Sequence, residues 1–365
     1  MIRLGIIVLI LAFVGCSDDM TDPGEMPVDL TGIPYAPEPF IPEIPDGFPL
    51  FEQPADNPMT TDGVTLGRAL FFDPILSIDS TISCSSCHLQ GSSFTDDRAM
   101  SIGVNGERTA RSSMSLLNVG FYYNGLFWDG RSPHLEEQAI HPIIDEIEMD
   151  NTWDEVVVRL KRSERYPELF RKAFGINTTE GITRSLATEA LAQFERSLIS
   201  SGNSKFDKVM RGEAAFTDQE QLGFDIFFDA DPELPDGECF HCHSAPLFTN
   251  NDYMNNGLVE APEFADFPDK GRGDVTGQLI DNGKFRVPTL RNIEYTAPYM
   301  HDGRLSTLEE VLEHYNSGGQ ISKGKDALIV PLGLNAEQLE ALRAFLSTLN
   351  DPDFLTNDAF GDPNG

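Results

Sequence analysis

Two pentads in this sequence carry residue types and spacing suited to chemistry: Cys84-Ser85-Ser86-Cys87-His88 and Cys239-Phe240-His241-Cys242-His243. In a Cys-x-x-Cys-His unit the two thiols can add to the vinyl groups of a haem, and the adjoining imidazole can turn in to the iron. Two other readings compete. A zinc site takes four ligands, and no further cysteine stands at a suitable spacing. A thioredoxin-like redox pair needs a strand-to-helix setting and has no use for the histidine. The chain has five cysteines: four sit in the pentads, and the fifth, Cys16, lies in the N-terminal leader. None is left for a structural disulfide. Two complete pentads point to two covalently bound haem c groups, one on Cys84, Cys87 and His88, the other on Cys239, Cys242 and His243.

The leader, "MIRLGIIVLILAFVGC", has one charged residue, Arg3, before an apolar run from Leu4 to Val14. That run is too short to span a bilayer and reads as an export signal. Its end, "FVGC", resembles the lipobox of bacterial lipoproteins, so residues 1–16 are expected to be the signal peptide, with Cys16 lipidated. The protein would then be an exported periplasmic or outer-membrane-associated lipoprotein, touching the membrane through its anchor alone. The "SDD" after Cys16 hints at surface exposure. Residues 17–49 hold many prolines and acids and are expected to form an extended tether. Acids outnumber bases 59 to 26, for a net charge of -33. This charge excludes nucleic acid and anionic membrane surfaces as natural partners, and it suits a small cationic one.

The pentads belong to a longer internal repeat. "LGRALFFD" (Leu66 to Asp73) matches "LGFDIFFD" (Leu222 to Asp229), and "SSFTDD" after the first pentad matches "PLFTNN" after the second. Further on, "WDGRSPHLEEQ" (Trp128 to Gln138) matches "HDGRLSTLEEV" (His301 to Val311). Apolar residues recur at helical spacing in "TWDEVVVRLKRS", "ITRSLATEALAQFERSLIS" and "LNAEQLEALRAFLSTL", with Thr152, Thr183 and Asn335 as N-caps. The expected fold is mainly α. It comprises two cytochrome c-like haem domains related by internal duplication, 50–205 and 206–350, joined by a polar stretch near residues 200–215.

The repeat also works as a ruler. Each half should place a helix, opening with Leu-Glu-Glu, over the exposed face of its haem. In that register Pro142 corresponds to Tyr315, Trp128 to His301 and Gln138 to Val311. Proline has nothing with which to bind iron, whereas a phenolic oxygen is a known haem ligand. The first site is expected to be open and the second closed by Tyr315, with Met300 and His314 as rival ligands. His134, His141 and His241 read as surface or loop residues.

Taken together, "LGRALFFDPILS", "CSSCH", "FWDGR", "LEEQAIHPI", Glu148-Met149, "CFHCH", "FRVPTLRN", "TAPYMHDGR" and "LEEVLEHY" resemble the bacterial di-haem cytochrome c peroxidase and MauG family over roughly residues 50–350. The resemblance implies reduction of hydrogen peroxide at the first haem, with electrons from an outside donor, a small cytochrome, passed through the second. It implies that Trp128 relays electrons between the haems. Gln138 and Glu148 would line the distal pocket as catalytic residues, with Pro142 packed over the iron. The carbonyls of Thr296 and Pro298 would help hold a calcium ion between the domains, and His301 would contact a propionate. A homodimer is compatible with the family. Two departures point to the MauG branch. The stretch "AMSIGVNGERTA", residues 99–110, lacks the histidine that caps the first iron in classical members, and Tyr315 stands in place of methionine. Ser112 occupies the position of the calcium-binding Asn, with Asn118 as a substitute. The alternatives are a MauG-like oxidase acting on a partner protein, and a di-haem electron carrier without catalysis.

Mass spectrometry of the mature protein is expected to show two covalent haem additions. A single addition, or zinc in their place, would overturn the reading of the pentads.

Overall fold

The computed structural model describes residues 26–364; Cys16 and the signal peptide lie outside them. Helices carry the fold. The first half holds α1 (Thr61–Phe72), α2 (Leu135–Gln138), α3 (His141–Ile144), α4 (Trp153–Arg162), α5 (Tyr166–Phe174) and α6 (Arg184–Arg196). The second holds α7 (Lys205–Met210), α8 (Asp218–Phe228), α9 (Arg272–Thr276), α10 (Leu308–Asn316) and α11 (Ala336–Ser347), and α12 (Pro352–Leu355) follows. Among the described residues, paired strands are limited to an antiparallel ribbon, β1 (Tyr253–Met254) against β2 (Phe285–Arg286). The three expected N-caps form. The side chains of Thr152, Thr183 and Asn335 accept hydrogen bonds from the backbone N–H groups of Glu155, Leu186 and Gln338 at 3.3, 3.3 and 3.0 Å. Each such cap stabilises its helix by about 1 kcal/mol.

The apolar faces of these helices close two cores. In the first, α1 crosses α6 and buries Leu66, Leu70, Phe71 and Phe194. In the second, α8 crosses α11 and buries Ile226, Phe227, Phe345 and Leu346. Both crossings are made through a glycine. A Cβ on Gly67 would collide with the Ala190 carbonyl and Phe194 Cβ, and one on Gly223 with the Ala341 carbonyl and Phe345 Cβ. Backbone-to-backbone contact seats the helix that leads into each pentad.

One expectation is corrected, and two further features appear. The Pro-rich segment is no free tether from Val28 onward. Leu30 is buried, its N–H bonds to the Asn177 carbonyl at 2.9 Å, and Phe40 N–H bonds to Met59 O at 3.0 Å. Phe48 packs edge-on to Phe121 of the first half and lies beneath the Arg291 guanidinium of the second, 4.8 Å away. Single apolar anchors between prolines hold this strap, so no periodic pattern announces it. The junction is likewise ordered. Ser204 and Asp207 cap α7, and Asp207 takes both terminal nitrogens of the buried Arg291 at 2.8 and 2.9 Å. Finally, the chain past residue 350 returns to the first half. Phe354 joins the first core, and Arg68 donates to the carbonyls of Gly361 and Asp358, each at 2.6 Å.

Helix propensity alone favours alanine over glycine by about 1 kcal/mol, while overpacking a contact costs about 1–3 kcal/mol. At both crossings the collision is with backbone, which cannot rotate away, so the second effect should win. Gly67→Ala and Gly223→Ala are each expected to lower the melting temperature of the holoprotein by a few degrees in calorimetry. An unchanged or raised melting temperature would show slack at the crossing.

Candidate active site

The two pentads fold alike. A tight turn over Cys84–Ser86 brings His88 N–H to the Cys84 carbonyl at 3.0 Å, and His243 N–H meets Cys239 O at 2.9 Å. Each imidazole then lays Nδ1 on a backbone carbonyl: His88 on Phe94 O at 2.8 Å, His243 on Phe248 O at 3.0 Å. Both phenylalanines are left-handed, with φ of 59° and 55°, which turns their carbonyls inward. A carbonyl can only accept, so Nδ1 carries the proton and Nε2 keeps its lone pair, the tautomer a metal needs. Burial lowers both imidazole pKa values, that of His243 to about 4. Burial also pushes up all four thiols, Cys239 to about 12 and Cys242 to about 11. Two neutral thiols beside a neutral, oriented imidazole in an apolar cavity fit a covalently attached haem in each half.

The cavities differ in size. The first measures about 770 Å³ and is lined by Cys84, Cys87, His88, Gln138, Pro142 and Glu148. The second is about 220 Å³ and is lined by Cys239, Cys242, His243, Met300 and Tyr315. Trp128 lines both. The residues expected to act together therefore converge, although Gln138 and Glu148 lie far along the chain from His88.

Proline explains part of the difference. Continuous helix was expected over each haem. In the second half α10 runs unbroken from Leu308 to Asn316 and presents Tyr315, but in the first half it splits into α2 and α3. Pro142 lacks the N–H that would reach the Gln138 carbonyl, and its ring crowds that carbonyl. One residue thus removes a ligand and interrupts the helix. Glu148 follows this break, with its N–H on Asp145 O at 3.0 Å and its carbonyl accepting from Val104 N at 2.8 Å. Burial, with help from the Asp145 charge and against the pull of Arg131, raises its carboxyl to about 7.

Trp128 is held at two points. Its indole N–H donates to Ser112 O at 2.9 Å, and its carbonyl accepts from Arg286 N at 2.8 Å. Ser112 in turn donates its N–H to His301 O at 2.8 Å and its hydroxyl to Met300 O at 2.9 Å. Arg111 spans the same seam, pairing with Asp129 at 2.6 Å and Asp269 at 2.7 Å.

Of the three candidates for the second iron, Tyr315 and Met300 line the cavity. His314 bonds its Nε2 to the Asn256 carbonyl at 3.1 Å instead. Burial raises Tyr315 to about 12, opposed by a hydrogen bond from the Asn256 side chain at 3.3 Å. His301 lies buried in a 3.6 Å stack on Phe285. His134 is exposed, His141 meets Phe127 edge-on, and His241 pairs with Glu238 at 3.2 Å.

Sequence reasoning missed two residues. Asn256 carried no motif. Glu195 of α6 lines the first cavity, buried, with its carboxyl raised to about 8 by desolvation. Glu195 falls one turn after Leu191 on the apolar stripe of α6, and that position was the available signal. For calcium, Thr296 and Pro298 do sit together at the second cavity. However, the Ser112 hydroxyl is committed to Met300, and Asn118 Oδ1 accepts from Ser200 N at 3.0 Å. Two carbonyls supply too little for an ion that takes six to eight oxygens, and no role is assigned to it.

Comparison with known proteins gives a consistent picture. A family model described as di-haem cytochrome c peroxidase matches residues 61–215. The chain is 36% identical over 310 residues to the cytochrome c551 peroxidase of Nitrosomonas europaea, covering 82% of this chain and 84% of that protein. It is 36% identical over 299 residues to the methylamine utilization protein MauG of Methylorubrum extorquens, covering 81% and 80%. Its structure superposes on that of a MauG-like protein associated with microbial copper homeostasis with a TM-score of 0.82 at 35% identity, covering 88% of this chain and 99% of the other.

Proposed function

Because this chain belongs to the di-haem cytochrome c peroxidase and MauG family of oxidoreductases, we propose that it reduces hydrogen peroxide to water in the cavity of His88, using electrons that enter at the cavity of His243. The observation that carries this reading is Glu148, a carboxyl raised to about 7 in a cavity whose facing element offers proline where the other half offers tyrosine. Converting one peroxide to two waters takes two electrons and two protons. The haem irons, when bound by His88 and by His243 with Tyr315, supply the peroxide site and the electron transfer.

The protein moves the protons. The Glu148 carboxylate accepts one from the near oxygen of peroxide and delivers it to the far oxygen, which leaves as the first water; the two electrons and two further protons from solvent convert the near oxygen to the second water. Gln138, at the end of α2, orients the peroxide through its amide. Pro142 keeps an apolar ring over the site and leaves room for the substrate. Trp128, on the wall of both cavities, carries electrons between them. The net charge of -33 favours a small cationic donor cytochrome through long-range attraction. Duplication of one haem domain is supported by the matched pentad geometry and the matched glycine crossings. An exported lipoprotein is supported by the leader sequence.

A second reading, a MauG-like oxidase of a partner protein, draws support from Tyr315 and from the absence of histidine in residues 99–110. In that reading Trp128 and the second haem hold the oxidising equivalents until the partner docks.

A base works only when ionised, so kcat/KM for peroxide is expected to rise with pH through about 7 and level off above it. Glu148→Gln should keep both haems, lose that limb and fall by about 10²–10⁴-fold. Unchanged turnover would remove Glu148 from the mechanism. Residues 99–110 hold no histidine to cap the first iron and Pro142 has no donor atom for it, so fully oxidised protein is expected to change its spectrum at once on stopped-flow mixing with peroxide. If the change waits for prior reduction, another residue caps that iron.

A further inference from the structure

Asn256 lies beside β1, where nothing in the sequence marks it, and its side chain is oriented without ambiguity. Its Oδ1 accepts the Leu258 N–H at 3.3 Å, so the NH₂ group points the other way. That group faces two acceptors at once, Tyr315 OH at 3.3 Å and Met300 Sδ at 3.4 Å. The Asn256 backbone is held as well, its carbonyl bonded by His314 Nε2 at 3.1 Å, from the residue next to Tyr315. Met300 is fixed from behind, its carbonyl taking the Ser112 hydroxyl at 2.9 Å. An amide pinned at its oxygen and its backbone, with its donors aimed into a buried cavity at an oxygen and a sulfur, is more than a turn residue requires.

We propose that Asn256 is a positioning residue that sets the reduction potential of the second haem, by dividing one amide between the ligating oxygen of Tyr315 and the sulfur of Met300. The inference rests on Tyr315 being the ligand there. A donor on a ligating phenolate draws charge off the oxygen, weakens its donation to ferric iron and raises the potential. Thioether sulfur is a weak acceptor that takes part of the same donor group. The two neighbours of Tyr315 therefore act with opposite sign. Losing the Asn256 amide should lower the potential. Losing the Met300 sulfur should raise it, because the amide then serves Tyr315 alone. A residue that merely props up the loop would not produce opposite shifts.

The test is spectroelectrochemistry of the diferric holoprotein with resonance Raman of the second haem. Wild type is expected to show phenolate-to-iron charge transfer that Tyr315→Phe abolishes. Asn256→Leu should keep that signature, move the charge-transfer band to lower energy and shift the ferric/ferrous equilibrium about tenfold toward ferric, 59 mV for one electron. Asn256→Asp keeps the Oδ acceptor for Leu258 and loses the donor, so it should shift the same way even if the leucine variant folds poorly. Met300→Leu should shift the potential upward, and should do nothing in the Asn256→Asp background. A wild type without phenolate charge transfer would sink both the ligand assignment and this inference. With that signature present, an Asn256→Asp potential equal to wild type, or a Met300→Leu shift that persists in the double variant, overturns the role of Asn256 alone.

Discussion

The peptide of Ser112 is the point on which the arrangement of the two sites depends. Its carbonyl holds the Trp128 indole, its N–H holds His301 O and its hydroxyl holds Met300 O. One residue thus ties the wall of the first cavity to the loop that carries Met300. Each of these bonds contributes only about 1 kcal/mol net, so the seam is directional rather than strong. Strength comes from either side. Arg111 bridges Asp129 and Asp269 across the seam, and removing one partner of such a half-buried group is worse than the pair is good, because the other charge stays behind. The strap adds Phe48 between Phe121 and Arg291. Electron passage between two centres tolerates little drift in spacing, and these contacts restrict it.

Much of this was legible in the sequence because it rests on local rules. A Cys-x-x-Cys-His turn has its own geometry, an N-cap is a side chain three residues from an N–H, and helical burial repeats every three or four positions. Using the repeat as a ruler placed Pro142 and Tyr315 in their respective cavities, since both halves pack one helix through a glycine. Other features were not legible, for a common reason. The strap, the returning tail with Phe354 and the donor group of Asn256 each act through one side chain in irregular backbone. No period reveals them, and for Asn256 the deciding fact is which end of an amide meets the Leu258 N–H. The tether reading failed because prolines and acids signal extended chain, and extended chain can still be packed down by Leu30 and Phe48.

Part of the difference between the halves is a consequence of position 142. Tyrosine in α10 keeps its helix whole and puts an oxygen into a cavity of about 220 Å³. Proline in α3 splits the helix, leaves about 770 Å³ and lets the chain run on through Asp145 to Glu148. The Glu148 carboxyl and the larger cavity are therefore linked structurally: the chain that follows the break carries the acid to the cavity wall.

The acids of the first cavity show what this arrangement demands of the fold. Burial raises Glu148 to about 7, and it raises Glu195 to about 8, with Arg196 opposing and Glu136 adding to the shift. Both values lie above the unfolded carboxylate, so between pH 4.5 and about 8 the folded state holds protons that the unfolded state has released. Stability must then fall as pH rises through that window, by an amount on the order of a few kcal/mol for a fully buried acid. Arg196 offsets only part of this shift, because it is also paired with Glu136 at 2.7 Å. Retaining an unpaired acid at this depth is tolerable because it is neutral near pH 7. Both acids line the first cavity, and burial raises both carboxyls far enough that each can hold a proton near neutral pH.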